Sequence, residues 1–432
     1  MSKARLLACA AMVAFFPVSL ARAQEAAPET ARDAPRWGAD RGRNESVAER
    51  VRPEFAAPGL ELGAITVRPS LGLEAGTDSN IFYEPSGETD DVVFVSRPRI
   101  EAATTWSRHR IALAAGLDDF RFQDSSSEEH TDVYAEAEGR LDVRRGSYLL
   151  VGGGQSRRAE ARSAPDTPGA AAKPVRVEDR HAYLAGVHEF GRARATLRLE
   201  KQGLNYKDAP LISGGIADQD IRDYTVTTLT GRLEYALSPD TAMFGQVSGN
   251  KREYEIKPPR STFNRDSEGS SYMIGVNTDL SNLIRGEVSV GYLQQNYDDP
   301  GLSSPKGLAL EGKVEYFATP LTTITVNGRR RIEETVAATA SSFLSTTFGA
   351  RVDHELRRNI VLMAGAGAEK REFEGSDRDD DLLFADAGAR FLLNRRVELG
   401  ARWRFERQDS SGAASAQDYD VNRFVVSATL RF

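Results

Sequence analysis

Apolar and polar side chains alternate with a period of two residues in long runs throughout the chain after residue 63. In 397–406, for example, the odd positions carry VLAWF and the even positions carry EGRRE. Similar runs occur in 133–143 and 344–353. Because successive side chains of a β-strand point to opposite faces, each run predicts a strand with one apolar and one polar face. A chain built from such runs is constrained to an all-β fold.

Two kinds of all-β fold produce this alternation. A soluble sandwich buries its apolar faces against each other, whereas a membrane barrel turns them toward lipid. Sandwich strands are usually about five or six residues long, but these runs extend over about 10 to 15 residues, which is enough to cross a membrane at a tilt. The length of the runs therefore favours the barrel.

The connections between the runs fall into two classes that alternate along the chain. Short turns are predicted near 107–109, 144–146, 190–192, 237–240, 281–282, 319–320, 357–359 and 394–396. Longer loops are predicted near 77–91, 123–130, 162–177, 207–221, 256–268, 298–306, 335–340, 374–381 and 409–418. The sequence therefore predicts a transmembrane antiparallel up-and-down β-barrel of about eighteen strands over residues 63–432, with short periplasmic turns and longer extracellular loops.

The last ten residues, RFVVSATLRF, place Phe424, Val426, Leu430 and Phe432 on one face of a terminal strand. The strand resembles the closing strand of Gram-negative outer-membrane barrels, whose terminal aromatic residue is read by the barrel assembly machinery. These four residues are therefore predicted to form an assembly signal. An ordinary edge strand is the alternative.

The first 23 residues have the pattern of a cleaved secretory signal peptide. Lys3 and Arg5 precede an apolar run at 6–20, and Ala-Arg-Ala follows at 21–23. The run is too short for a membrane-spanning helix. Cys9 is the only cysteine, so we expect no disulfide and no thiolate metal site in the mature chain. The predicted location is the outer membrane, reached by export.

Residues 24–62 are rich in Ala, Pro, Arg and Glu and keep neither strand nor helix periodicity. This composition predicts a disordered periplasmic tail. Three interpretations of Trp37 and Phe55 in this tail stay open: docking points, a small plug, or simply exposed side chains.

Composition limits the possible functions. The mean hydropathy of −0.44 excludes a helical membrane protein, whereas a barrel needs only every second strand residue to be apolar. The net charge is −7, and losing Lys3, Arg5 and Arg22 with residues 1–23 makes it three units more negative. The sequence shows no basic patch of the kind that binds nucleic acid.

The polar faces of the predicted strands supply candidate lumen residues. They are Arg140, Arg198, Glu200, Arg285, Glu287, Arg329, Arg331, Glu333, Arg351, Asp353, Glu398, Arg402, Arg404 and Glu406. Mixed charge keeps such an interior hydrated, and a barrel of about 16 to 18 strands leaves an aqueous channel unless loops or a plug fill it. Guanidinium groups also suit carboxylates or phosphates of a passing polymer. The alternative is that these charges only pair with each other.

Aromatic residues near the strand ends predict two membrane-interface girdles. Those near the short turns are Trp106, Phe190, Phe317, Phe391 and Phe432, and those near the long loops are Phe120, Phe122, Tyr206, Tyr254, Tyr297 and Phe405. Acidic runs at 90–91, 298–299 and 379–381 are assigned to outer loops. They are interpreted as solvated charge, with calcium binding or lipopolysaccharide bridging as alternatives.

No pattern indicates an enzyme, a cofactor or a metal site. The five histidines lack metal-ligand spacing, and no Gly-x-Ser-x-Gly motif is present. Ser163 with Asp166, and His354 beside Asp353, are interpreted as loop and strand-end polar residues. Three glycines at 152–154 predict close packing or a bend within a strand, since no helix follows them to bind phosphate.

Several stretches resemble the putative beta-barrel porin 2 family. They are RPEF (52–55), TDSNIF (77–82), WSRH (106–109), ARSAPDTPG (161–169), NRDSEG (264–269), RRRIEETV (329–336), VDHELRRN (352–359) and LNRR (393–396). The resemblance extends over about residues 50 to 432, mostly at turns. That family includes outer-membrane proteins of exopolysaccharide gene clusters, which are taken to let polymer leave the periplasm.

The resemblance implies a passive aqueous path for a polar polymer, with exopolysaccharide as the expected cargo. The implied partners are outer-membrane lipid and lipopolysaccharide, the barrel assembly machinery, and periplasmic polysaccharide-export components. Two alternatives remain open: a general or solute-specific diffusion porin, and a closed structural or adhesive barrel.

Overall fold

The structure is a computed structural model that describes residues 44–280, 283–337 and 340–432. The predicted signal peptide (1–23) and residues 24–43 of the predicted tail lie outside the described residues. Within the described part, no helix is both long and apolar enough to span a bilayer.

The long strands follow each other along the chain as β1 to β18. Their bounds are β1 Ile65–Asp78, β2 Asp91–Thr104, β3 Arg110–Phe122, β4 His130–Arg144, β5 Ser147–Ala159, β6 Arg176–Phe190, β7 Ala193–Tyr206, β8 Tyr224–Ala236, β9 Thr241–Tyr254, β10 Ser267–Leu280, β11 Ile284–Tyr297, β12 Lys306–Thr319, β13 Thr322–Glu334, β14 Ser342–Arg357, β15 Ile360–Glu374, β16 Asp379–Leu392, β17 Val397–Ser411 and β18 Tyr419–Arg431. Short strands at Leu60–Leu62, Ala209–Pro210 and Ile216–Ala217, and 3-10 turns at Ser126–Glu128 and Asp220–Arg222, complete the described elements.

The eighteen long strands close into one antiparallel barrel. Each strand pairs with its neighbours in sequence, and β1 pairs with β18 from Ser70 opposite Arg431 to Asp78 opposite Arg423. The strands contain 13 to 16 residues. Thirteen residues extend about 43 Å, which covers about 30 Å of bilayer at a tilt of about 45°. The predicted fold class and strand number are therefore confirmed.

The outer face of the barrel is apolar, and the inner face is polar. On β7, Leu197 and Leu199 are 58% and 47% exposed, whereas the alternating residues Arg198 and Glu200 face the interior. Ile274 on β10 is 69% exposed. Such apolar side chains surround the whole barrel, and a band of this size is incompatible with water. Its natural environment is hydrocarbon.

Short and long connections alternate as expected, with one difference in the outer loops. Turns such as 145–146 and 358–359 lie at one end, and loops such as 160–175 lie at the other. The predicted loop 374–381 is only a tight connection at 375–378, so the acidic run 379–381 belongs to β16. Asp380 is fully buried rather than solvated, because Arg378 donates two hydrogen bonds to its carboxylate at 2.9 and 2.6 Å.

Residues 44–62 differ from the disordered tail that their composition predicts. A turn at 46–50 lies inside the periplasmic end of the barrel, where the side chain of Val47 is 1% exposed. Leu60–Leu62 then pairs with the start of β1. The segment lacks a hydrophobic pattern because it binds charged groups of the barrel wall. Its own composition does not reveal these partners, so it could not predict the docking.

The hairpin tip of β13 and β14, described for residues 331–337 and 340–345, bends into the barrel. Pairing between β12 and β13 ends at Leu310 opposite Arg330, so the last residues of β13, 331–334, leave the wall. Ile332 and Leu344 pack against Met273, Leu293 and Ala309, which belong to the inner wall of β10 to β12. Leu344 was expected on the outer face, but it is only 6% exposed for this reason.

The predicted aromatic girdles are only partly observed. Trp106, Phe190, Phe391 and Phe432 are exposed near the short turns. At the opposite end the prediction is wrong for Phe120, Tyr206, Tyr254 and Tyr297, which are all buried. Phe317 lies under the guanidinium of Arg285. These rings turn inward because the interior offers polar and cationic partners for them, so proximity to a strand end did not determine the face.

Candidate functional site in the barrel lumen

All of the predicted lumen residues lie on the strand face opposite the exposed apolar residues. Five of their ion pairs join positions i and i+2 of one strand, which are neighbours on the same face. These five pairs are Arg140–Asp142, Arg198–Glu200, Arg331–Glu333, Arg351–Asp353 and Arg404–Glu406. Between strands, Arg285 pairs with Glu315 and Arg402 with Asp386, while Glu287 accepts from Arg232, and Glu398 accepts from Arg390 and Arg431. Arg329 lies opposite Glu311 of β12. The pore-lining role of these residues stays a prediction.

The lumen also contains charged groups that the sequence reasoning missed. Arg97 on β2 pairs with Glu74 of β1 at 3.0 Å and with Asp118 of β3. Arg423 on β18 pairs with Asp78 at 2.6 Å. Their position on the polar face could be read from the alternation in β2 and β18. Their partners could not be predicted, because each pair joins neighbouring strands and the register between strands is not known from the sequence.

Aromatic rings hold several lumen arginines in place. The guanidinium of Arg198 lies 3.8 Å from the ring centre of Tyr183, and that of Arg232 lies 3.5 Å from the ring centre of Phe244. Gly152 makes room for Tyr183, since a Cβ there would lie 2.6 Å from the ring. Such stacking restricts the arginine side chains, so the polar lining has a defined shape.

The periplasmic end of the lumen contains residues 44–55, which we call the plug. Arg285 of β11 donates to the carbonyl of Asn44 at 3.0 Å and to the carboxylate of Glu49. Glu355 of β14 accepts from Arg50 at 3.1 Å and from Arg52 at 2.8 Å. The plug is therefore bound to the wall through two clusters of opposite charge.

Two more contacts connect the plug to neighbouring strands. The backbone N–H of Val47 donates to Thr323 of β13 at 3.0 Å, and Asn44 donates to Asp279 of β10. The docked segment thus touches wall residues from β10 to β14, while its C-terminal end pairs with β1. It crosses the periplasmic opening between these two positions.

The extracellular end is narrowed by the inward hairpin tip. Glu334 at the end of β13 accepts hydrogen bonds from Tyr254 at 2.8 Å and Tyr297 at 3.0 Å, and pairs with Arg252. Arg265 from the loop 255–266 donates to the carbonyl of Thr335 at 2.7 Å. These contacts hold the tip against the inner wall of β9 and β11.

Loop 160–175 lies across the same end. Its Asp166 accepts from the hydroxyl of Thr335 at 2.5 Å, which joins the loop to the hairpin tip. At its other side Glu160 pairs with Arg222, and the carboxylate of Glu160 is fully buried. The mouth is therefore covered by segments that are bonded to each other.

Asp223 and Glu49 are two of the acids outside the membrane-spanning strands that have shifted pKa values. Burial raises the pKa of Asp223 to about 6, although the backbone N–H of Tyr206 donates to it. Burial also acts to raise the pKa of Glu49, but the hydrogen bond and charge of Arg285 outweigh it and lower the pKa below its ordinary value. Glu49 is thus ionised where it meets Arg285.

The residues considered for catalysis have structural partners. Asp166 binds Thr335 rather than Ser163, and His354 contacts the hydroxyl of Thr322 at 2.9 Å. Among the described residues, one group of carboxylates is close enough to share a cation: Asp208, Asp218 and Asp220. All three are exposed, and two of them already accept backbone N–H groups.

Comparisons with solved structures find other outer-membrane proteins. Outer membrane protein OpdK from Pseudomonas aeruginosa is 12% identical, with 85% of this chain and 99% of that chain covered at a TM-score of 0.46. The copper transporter OprC is 11% identical, with 89% and 82% covered at a TM-score of 0.48. The siderophore receptor PirA from Acinetobacter baumannii is 6% identical, with 85% of this chain and 80% of that chain covered at a TM-score of 0.45.

A search of curated proteins finds no match. Residues 52–432, however, match a protein family described as Putative beta-barrel porin 2. The match includes all eighteen barrel strands and begins at Arg52 within the plug. The chain therefore belongs to the Putative beta-barrel porin 2 family, and its location is the outer membrane.

Proposed function

We propose that this porin provides a water-filled passage for a polar substrate that carries acid groups, and that the substrate is an exopolysaccharide leaving the periplasm. The observation that carries the proposal is the inner wall, where arginines and carboxylates occur from β1 round to β18. A wall of this kind holds water, and an eighteen-stranded barrel has room for a hydrated path once its ends are open.

The chemistry of the wall supports an acidic rather than a neutral cargo. Arginine forks bind carboxylates and phosphates in bidentate geometry. Most of the lumen arginines named above pair with a wall carboxylate, so a passing anion would exchange partners with these pairs and would not be held strongly at one site. Arg404, for example, uses one nitrogen on Glu406, while its Nε has no protein partner among the described residues. Weak and repeated binding allows movement along the wall.

The polymer itself is proposed from the resemblance to barrels of exopolysaccharide gene clusters. The decisive experiment is deletion in the native host, with complementation by the wild-type chain. We expect polysaccharide to disappear from the cell surface and to accumulate in the periplasm. Normal surface polysaccharide in the deletion strain would contradict this cargo.

A diffusion porin for small solutes is the second candidate, and the narrowed mouth favours it. The hairpin tip and loop 160–175 restrict the extracellular opening, which suits a small solute better than a chain. Swelling of proteoliposomes in sugars of graded size separates the two candidates. Entry of small sugars alone, together with normal export in the deletion strain, would select the diffusion porin.

The purified barrel should conduct ions in planar bilayers under either candidate. A closed structural or adhesive barrel would not conduct, even after its plug is removed. Conductance therefore tests the channel itself, whereas the deletion strain and the swelling assay test its cargo.

A further inference from the structure

We propose that residues 44–55 are a displaceable plug, and that acid groups of the substrate open the channel from the periplasm by taking the place of Glu49 on Arg285. This inference rests on the proposed passage of an acidic substrate. It adds a specific binding residue and a mechanism of opening to that function.

The first argument concerns the type of contact. The plug is held mainly by hydrogen bonds and ion pairs: Glu49 on Arg285, and Arg50 and Arg52 on Glu355. Val47 is its one deeply buried apolar side chain, at 1% exposure. Because polar contacts can be exchanged for water or for another ion, such a segment can leave while newly exposing only this one deeply buried apolar side chain.

The second argument concerns the position of Arg285. Its Nε donates to the wall residue Glu315 at 2.6 Å, which fixes the side chain on β11 and β12. One terminal nitrogen donates to the Asn44 carbonyl, and the other is shared between Glu49 of the plug and Glu315 of the wall. The guanidinium is thus anchored by the wall and presents its outer edge to whatever occupies the periplasmic opening. Glu49 is a carboxylate in the place where a substrate carboxylate would bind.

The third argument concerns location. Arg285, Thr323 and Glu355 lie near the short-turn ends of their strands, so the plug occupies the side from which an exported molecule arrives. The guanidinium that an incoming acid would meet at this opening is already bound by the chain's own acid. Displacement of Glu49 therefore couples substrate arrival to opening.

Single-channel recording with the full chain tests whether the plug closes the channel. Glu49→Gln removes the charge but keeps the shape, and we expect the ratio of open to closed time to rise roughly tenfold from the loss of one charge-assisted bond. Glu54→Gln is the matched control, because Glu54 lies on the same segment in an exposed pair with Arg358 at 3.2 Å. That control should stay close to wild type.

A disulfide provides a second test that does not depend on removing a charge. The bond from the Val47 N–H to the Thr323 hydroxyl brings the two residues within disulfide reach. Val47→Cys with Thr323→Cys should lock the channel closed under oxidation and release it with a phosphine reductant. Equal conductance before and after reduction would overturn the plug.

Competition tests the role of the substrate. Oligogalacturonate, an acidic saccharide, is added to the periplasmic side, and a maltooligosaccharide of the same length is the neutral control. We expect oligogalacturonate to raise the open fraction severalfold in wild type, to have little further effect on Glu49→Gln, and the neutral oligomer to have none. A response to both oligomers, or to neither, would overturn displacement by acid groups.

The outcomes separate this inference from the function beneath it. If none of these variants ever conducts, the proposed channel fails and the inference fails with it. If the barrel conducts but neither Glu49→Gln nor the disulfide changes its open time or conductance, only the inference fails.

Discussion

The phenol of Tyr297 on β11 donates a hydrogen bond to Glu334 at the tip of β13, bypassing the intervening strand β12. This contact is possible because the tip has left the wall and turned into the lumen. Glu334 also accepts from Tyr254 of β9, so one carboxylate joins the tip to two strands of the nearby wall, β9 and β11.

Replacing Glu334 should therefore widen the extracellular mouth. We expect Glu334→Ala to increase single-channel conductance and to leave the barrel folded, because the wall strands remain paired without the tip. Glu253→Ala is the matched control, since Glu253 lies at the same end of the barrel in an exposed pair with Lys251. Unchanged conductance in Glu334→Ala would show that the tip does not limit the opening.

Acid pH should release the plug. The docked pKa of Glu49 lies below its ordinary value of 4.5, so docking is favoured while Glu49 is ionised and weakens as the pH falls from 4.5 through the depressed value. Arg285, Lys313 and Ser46 favour the ionised form. Channel recordings should show more open time below about pH 4.5 than at neutral pH.

The same recordings need a variant that isolates Glu49. Two other carboxylates contact the same groups: Glu315 shares Arg285 with Glu49, and Glu355 pairs with Arg50 and Arg52. Glu49→Gln should show a smaller pH response than wild type. An identical pH response in both proteins would exclude Glu49 as the group responsible.

Substitutions on adjacent positions of β17 should have opposite consequences. Trp403 faces outward at the middle of the strand, and Trp403→Arg should destabilise the folded barrel by about 2 to 4 kcal/mol. Arg402 faces inward and pairs with Asp386 at 3.2 Å, so Arg402→Ser should cost less than about 1 kcal/mol in a hydrated lumen. Refolding into lipid vesicles at graded urea measures both. Equal costs would contradict the assignment of faces.

Removing Phe432 should reduce the amount of barrel in the outer membrane. The side chain is 49% exposed on the outer surface, and its backbone N–H donates to Pro69 of β1 at 3.1 Å. Most of the β1 to β18 pairing survives its loss, so the effect should appear during assembly rather than in stability. Phe432→Tyr is the conservative control. Normal outer-membrane levels of the truncated chain would count against an assembly signal.

The period-two alternation, together with the length of the runs and the spacing of the turns, was sufficient to predict the barrel, its strand number and the face of residues such as Trp403 and Arg402. The i, i+2 spacing of Arg198 with Glu200 and of Arg404 with Glu406 also offered a signal for these ion pairs, which the sequence analysis did not use. Strand periodicity carries this information because each strand follows the same geometry.

The remaining features depend on contacts that a local pattern does not contain. Leu344 has the even position of an outward-facing residue of β14. Because the whole hairpin tip bends into the lumen, its side chain is buried inside the barrel, and the alternation predicted the wrong environment. The plug has no periodicity, and its partners Arg285 and Glu355 are distant in sequence. Tyr254 and Tyr297 lie at strand ends like membrane-interface aromatics, yet their hydroxyl groups meet Glu334 inside.

The plug is covalently joined to β1 through Leu60–Leu62, while its binding sites lie on β10 to β14. It is thus an intramolecular ligand whose effective concentration at Arg285 is in the millimolar range for a short connection. A released plug rebinds quickly and cannot diffuse away, so every opening is reversible. A free monomeric acid must reach a comparable concentration to compete, whereas a polymer brings many acids to the same opening at once. The tether would therefore let the channel distinguish a chain from its own building blocks.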